Sequence, residues 1–154
     1  MKTSPKGVEL IKHFERYQPK ALANSNGVMY YGYGAKRHYD GTTIKYGETI
    51  TEKEAKDLLL HDLSFLEKRV SSHFKVVDQD QFDALMSFSY SVGFGFLLSS
   101  NLRKMILRNV KDEAIGLEWV KWSYDGKYKL RQLIKRRKAE YVLFSTGNLD
   151  FTNE

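Results

Sequence analysis

Ser4-Pro5-Lys6-Gly7-Val8-Glu9-Leu10-Ile11-Lys12-His13-Phe14-Glu15, followed by Arg16-Tyr17-Gln18-Pro19, decides how the rest of the chain is read. Val8, Ile11 and Phe14 recur every third residue, which is the spacing of one helical face. Ser4 stands at a capping position, and Pro5 falls in the first turn, where a missing N–H costs little. Pro19 biases Gln18 away from helical backbone, so the helix is expected to end near Arg16 to Gln18. Glu15 then closes an apolar helix.

The character of the chain changes after that helix. Asn24-Ser25-Asn26-Gly27 is turn chemistry, and Val28-Met29-Tyr30-Tyr31 is β-prone until Gly32-Tyr33-Gly34 interrupts it. Asp40-Gly41, flanked by Tyr39 and Thr42-Thr43-Ile44, is a hairpin-turn signal. A small twisted sheet is expected over residues 21–50. Thr51 and Glu54 have capping-box spacing and open a second helix, with Ala55, Leu58, Leu59, Asp62 and Leu66 along one stripe. Further helices are read over Asp80–Val92, Asn101–Arg108, Lys111–Trp122 and Leu130–Phe144. Trp119 and Trp122 are expected in the core, and Phe94, Phe96, Leu97 and Leu98 in a buried turn. The fold class is α+β, mostly α, in a single domain covering residues 1–154.

Composition narrows the function classes. With no cysteine, the 154-residue chain has no disulfide, thiolate metal site or cysteine nucleophile. His13, His61 and His73 lack ligand spacing, so no metal or other cofactor is expected. The N-terminus carries no apolar leader and no stretch approaches a bilayer span, so the chain is expected to be made in the cytoplasm and to meet a cell wall only on release. A net charge of +6 favours polyanions. The Lys135-Arg136-Arg137-Lys138 run could be read as a nucleic-acid patch, but on a helix these side chains fan around the axis, and no nucleic-acid partner is expected.

Glu15 is the residue that points to chemistry. A carboxyl set among apolar walls tends to keep its proton, and a protonated acid can hand that proton to a leaving oxygen. By itself, a glutamate closing a helix is more often solvated surface. The segment Gly7–Glu15 resembles the opening helix of the phage-type lysozymes, glycoside hydrolase family 24, which ends in a Phe-Glu pair. Gly27 and Gly32-Tyr33-Gly34 match the family's β-segment without a gap from Glu15. Ile50-Thr51-Glu52, Gln81-Phe82-Asp83-Ala84-Leu85 with Ser87-Phe88 and Val92-Gly93, Leu102-Arg103-Lys104, Trp119–Trp122 and Arg136–Glu140 continue the resemblance, which covers residues 7–147. It implies a lysozyme-like fold, a cleft between the small sheet and a helical lobe, and cleavage of the β-1,4 bond after N-acetylmuramic acid in peptidoglycan. It implies Glu15 as general acid, with Tyr33, Tyr90 and Ser91 as sugar contacts.

Four positions depart from the family pattern. Asn24 stands where the family has Asp, Tyr30 where it has Thr, Ala35 where it has His, and Ser91 where it has Asn. Glycosidases normally use two carboxyls. Asn24 supplies no charge but could orient a water through its carbonyl oxygen, and Tyr30 is large enough to fill the water's place. Asp40 and Glu48 are weaker substitutes, expected in a turn and on solvated surface, and His38 is expected to be an exposed loop residue. Two functions stay open. One is a muramidase, acting as a monomer, impaired by Asn24 and Tyr30. The other is an inactive lysozyme fold that binds peptidoglycan or a protein partner.

Overall fold

The computed structural model describes residues 1–152. Its elements run α1 (Pro5–Glu15), β1 (Gln18–Ala23), β2 (Met29–Gly32), α2 (Glu52–His73), α3 (Gln79–Val92), α4 (Phe94–Ser99), α5 (Asn101–Arg108), α6 (Ile115–Val120), β3 (Tyr124–Asp125), β4 (Tyr128–Lys129) and α7 (Arg131–Thr146). The architecture is α+β and mostly helical, as expected. Two compact units form: residues 11–65, and residues 1–10 together with the chain from 66 onward.

In the larger unit, α3 packs along α7, with α6 against α7 and α5 against α6. Asp78 caps α3 reciprocally with Gln81, each side chain accepting the other residue's backbone N–H. Phe82, Leu85, Met86 and Phe88 are fully buried, and Leu102, Ile106, Trp119 and Leu143 join them. The N-terminal segment is pinned through Asp83, which is itself fully buried. Asp83 accepts the Ser4 N–H at 2.9 Å, the Ser4 hydroxyl, and Gln79 Nε2 at 3.0 Å. Burial pushes the Asp83 carboxyl up, and these hydrogen bonds oppose the shift. Gly7 is needed beside it, because a Cβ there would sit 2.7 Å from the Asp83 Cγ. The serine expected to cap α1 with its hydroxyl therefore spends that hydroxyl mainly on Asp83.

The charged run on α7 is partly internal. Arg136 and Arg137 are buried around Glu140, which is 0% exposed. Glu140 accepts from Ser87 Oγ at 2.7 Å, Trp119 Nε1 at 3.0 Å and Arg136 Nε at 3.2 Å. Arg137 brings Nη2 to 2.9 Å of one carboxylate oxygen and Nε to 2.8 Å of the other. A buried carboxylate is tolerated because it is surrounded by donors.

Four expectations need correction. The helix read over 111–122 is only Ile115–Val120. Ahead of it, Asn109 Oδ1 accepts the Lys111 N–H and Asp112 Oδ1 accepts the Ala114 N–H, local bonds that compete with helix. Residues 94–98 are not a buried turn: they fall in α4, where Phe94 and Leu97 are buried but Phe96 is 61% exposed. Trp119 is in the core, whereas Trp122 is half-buried, edge-on to Phe88. The β3–β4 hairpin interrupts a stretch read only for helices.

In the smaller unit, β1 and β2 run antiparallel, pairing Leu22 with Tyr30 and Ala23 with Met29, with an irregularity between Gln18 and Leu22. The other edge of β1 is joined by residues 48–50, through Ala21 N–H to Glu48 O at 2.9 Å and Ile50 N–H to Pro19 O at 3.0 Å. The Thr51–Glu54 capping box opens α2 as expected.

Candidate active site

Glu15 is the last residue of α1 and is half-buried. The helix stops there because Arg16 takes the left-handed conformation, φ 60°, and donates its N–H to Lys12 O at 3.0 Å. That residue swings the chain into β1 two positions later. The left-handed region is costly for any residue with a Cβ. This strain lies next to the carboxyl of interest.

The end of α1 is tied down by tyrosines. Tyr17 donates its hydroxyl to Ile50 O at 2.6 Å, and its ring lies 6.0 Å from that of Tyr33. Tyr33 donates to Glu52 Oε1 at 3.1 Å and carries the Lys12 ammonium 5.2 Å from its ring centroid. Its phenol is pushed up to about 12, first by burial and then by Glu52. Tyr33, read as a sugar contact, is only 3% exposed. Gly32 lets this hairpin close: its φ is 60°, and a Cβ would lie 3.1 Å from the Ala55 Cβ.

Asn24 and Tyr30 both belong to the β1–β2 hairpin. Asn24 Oδ1 accepts the Asn26 N–H at 2.9 Å and the Val28 N–H at 3.0 Å, while its backbone carbonyl accepts the Gly27 N–H. A carbonyl oxygen has two lone pairs, and both are used here. The water-orienting oxygen expected of Asn24 is thus committed to the turn. Tyr30, opposite Leu22, is half-buried on β2. Ala35 pairs with Tyr31 in a tight turn and is buried.

The two carboxyls weighed as substitutes have local duties. Asp40 Oδ1 accepts the Thr42 N–H and hydroxyl, which hold its carboxyl below its usual range. Glu48 is not simply solvated, and His38 is not simply exposed. His38 Nε2 lies 2.7 Å from Glu48 Oε2, and its Nδ1 lies 2.9 Å from Thr42 Oγ1. The Lys45 N–H also reaches Glu48 and is the main cause of its lowered carboxyl. Sequence reading missed this loop network, although His38, Thr42 and Glu48 flank the recognised Asp40-Gly41 turn.

Glu15, Asn24, Tyr30 and Tyr33 share the smaller unit. Tyr90 and Ser91 lie half-buried at the end of α3 in the larger unit.

The family model described as phage lysozyme matches residues 12–140. The chain belongs to the phage lysozyme family. It is 39% identical over 150 residues to an endolysin of Bacillus phage B103, covering 96% of this chain and 55% of that protein. It is 33% identical over 147 residues to the endolysin of Salmonella phage P22, covering 94% of this chain and 98% of that one. The chain thus spans about half the length of the Bacillus phage endolysins and nearly all of the P22 protein. An endolysin from Escherichia coli O157:H7 phage FAHEc1 has a similar structure, with TM-score 0.88, 30% identity and 97% of each chain covered. The muramidase domain of SpmX from Asticaccaulis excentricus aligns with TM-score 0.81 and 30% identity, over 94% of this chain and 98% of that one. The small antiparallel sheet and the predominance of helices match the lysozyme-like fold of the phage endolysins.

Proposed function

We propose that this chain acts on the glycan strands of peptidoglycan, cutting the β-1,4 bond after N-acetylmuramic acid with Glu15 as proton donor and at a rate reduced by Asn24 and Tyr30. The observation that carries this reading is the placing of Glu15. It is a half-buried carboxyl on a strained helix end, three residues before the β1–β2 hairpin. In the reaction, Glu15 protonates the leaving glycosidic oxygen as the C–O bond breaks, and water completes the cleavage. Position 24 brings neither a negative charge nor a free acceptor. Losing an opposing charge at such a site costs about 4 kcal/mol, roughly a thousandfold in rate. Access to the wall follows release from the cell, and no helix among the described residues is long and apolar enough to cross a membrane.

The saturated oxygen of Asn24 favours a second reading, in which the chain binds strands, or a protein partner, without cutting. Release of soluble muropeptides from purified peptidoglycan, wild type beside Glu15→Gln, decides between them. Release that disappears in Glu15→Gln supports the muramidase. No release from a folded wild type that still sediments with the wall leaves the binding module.

A further inference from the structure

The β3–β4 hairpin has no part in the chemistry above and lies in the other compact unit from Glu15. Its sequence is Tyr124-Asp125-Gly126-Lys127-Tyr128-Lys129, with Gly126 at φ 57°. Its base is braced: Ser123 is buried and donates its hydroxyl to Val120 O at 2.6 Å, and the Leu130 N–H donates to Ser123 O at 3.0 Å. Beyond that brace, Tyr124 is 53% exposed and Tyr128 is 64% exposed. Two strands of two residues each gain little stability by themselves, and two phenols left in water add none.

The charges on the hairpin are placed with the phenols. Tyr124 lies directly across from Lys129. The Lys127 ammonium lies 5.4 Å from the Tyr128 ring centroid. Successive strand residues point to opposite faces, so Tyr124 and Lys129 share one face of the ribbon, while Tyr128 lies on the other, directly across from Asp125. Lys127, Lys129 and the following Arg131 have no ion-pair partner among the described residues. This is a basic, aromatic projection on a chain of net charge +6.

We infer that the β3–β4 hairpin is a second wall-binding element, which lays its Tyr124–Lys129 face along an acidic peptidoglycan strand, with Lys127 beside Tyr128 as a second contact. A sugar ring stacks on the Tyr124 phenol, and stem-peptide carboxylates meet the Lys129 and Lys127 ammoniums. This inference rests on the proposed function for naming the wall as the polymer, but not on Glu15. Single-stranded nucleic acid fits less well, because successive bases need stacking partners along one face and this ribbon offers one ring per face.

The test is sedimentation of the full chain with purified peptidoglycan, in a Glu15→Gln background so that the polymer stays intact. Tyr124→Ala with Tyr128→Ala should weaken binding about tenfold, and the corresponding Phe pair should retain it. Lys127→Ser with Lys129→Ser should weaken binding at low salt and flatten its salt dependence. With Glu15 in place, turnover of a short peptide-free glycan should not change in either pair. Binding unchanged in both pairs would overturn the inference and leave the proposed function standing. A wild type that neither sediments nor releases muropeptides would overturn both. Preference for single-stranded DNA over peptidoglycan, lost in the same variants, would assign the hairpin to nucleic acid instead.

Discussion

Asp62 has a fate that the pH dependence of stability can read. It sits on α2 among the buried Leu58, Leu59 and Leu63, half-buried itself. Among the described residues, no donor hydrogen-bonds to its carboxyl. Burial pushes that carboxyl from 3.8 up to about 6, with only the neighbouring His61 pulling the other way. Between these two values the folded state holds a proton that the unfolded state has lost, so stability falls as pH rises from about 4 to about 6 and stays lower above that. At 1.36 kcal/mol per factor of ten, the shift corresponds to a ceiling of about 3 kcal/mol. Solvent reaching the half-exposed carboxyl cuts this to about 1 kcal/mol. Asp62→Asn keeps the shape and removes the charge. It should therefore match the wild type near pH 4 and exceed it by about 1 kcal/mol at pH 7, or roughly 2–4 °C in Tm. Thermal melts of both proteins at pH 4, 5, 6 and 7 measure this, and the difference between them cancels the other titrating groups. A difference that does not change with pH, or a variant less stable at pH 7, would refute the reasoning.

Three further outcomes are expected. Arg16→Gly should raise stability by about 0.5–1 kcal/mol, because glycine adopts the left-handed conformation freely, whereas Arg16→Val should lower it by more than ~1 kcal/mol; denaturant melts compare the two. Glu140→Gln should cost about 3–5 kcal/mol, because it leaves two buried guanidiniums without their carboxylate, and a urea midpoint reads the loss. Asn24→Asp should leave stability within ~0.5 kcal/mol, since a carboxylate oxygen can accept the same N–H groups of Asn26 and Val28, while muropeptide release rises at least about tenfold; no rise would show that Tyr30 closes the site to water.

What could be read in advance follows the range of the interactions. The end of α1, the Thr51–Glu54 box and the helical stripes of α2, α3 and α7 were legible because residues within a few positions of each other set them. The strand β1 was not: Pro19-Lys20-Ala21-Leu22 carries little β-propensity, and it becomes a strand because residues 29–32 and 48–50 pair on its two edges. The β3–β4 hairpin was open to reading, since Asp125-Gly126 between tyrosines is the same signal as Asp40-Gly41, but the helical run around it masked the turn. In the sequence, Arg136 and Arg137 read only as part of a four-cation run whose side chains fan around the helix axis. Their burial depends on Ser87 and Trp119, brought in from other helices to surround Glu140. The site divides the same way. Glu15 was singled out because it closes a local helical pattern that resembles the opening helix of the phage-type lysozymes. The committed oxygen of Asn24 was not, because chemistry and architecture ask different things of that position. The turn needs an oxygen that accepts two N–H groups, which Asn and Asp both supply, whereas glycoside hydrolysis needs a negative charge, which only Asp supplies. Under the proposed function, a change from Asp to Asn there is nearly silent to the fold and severe for the reaction, so the hairpin can persist intact whether or not the chain still cuts.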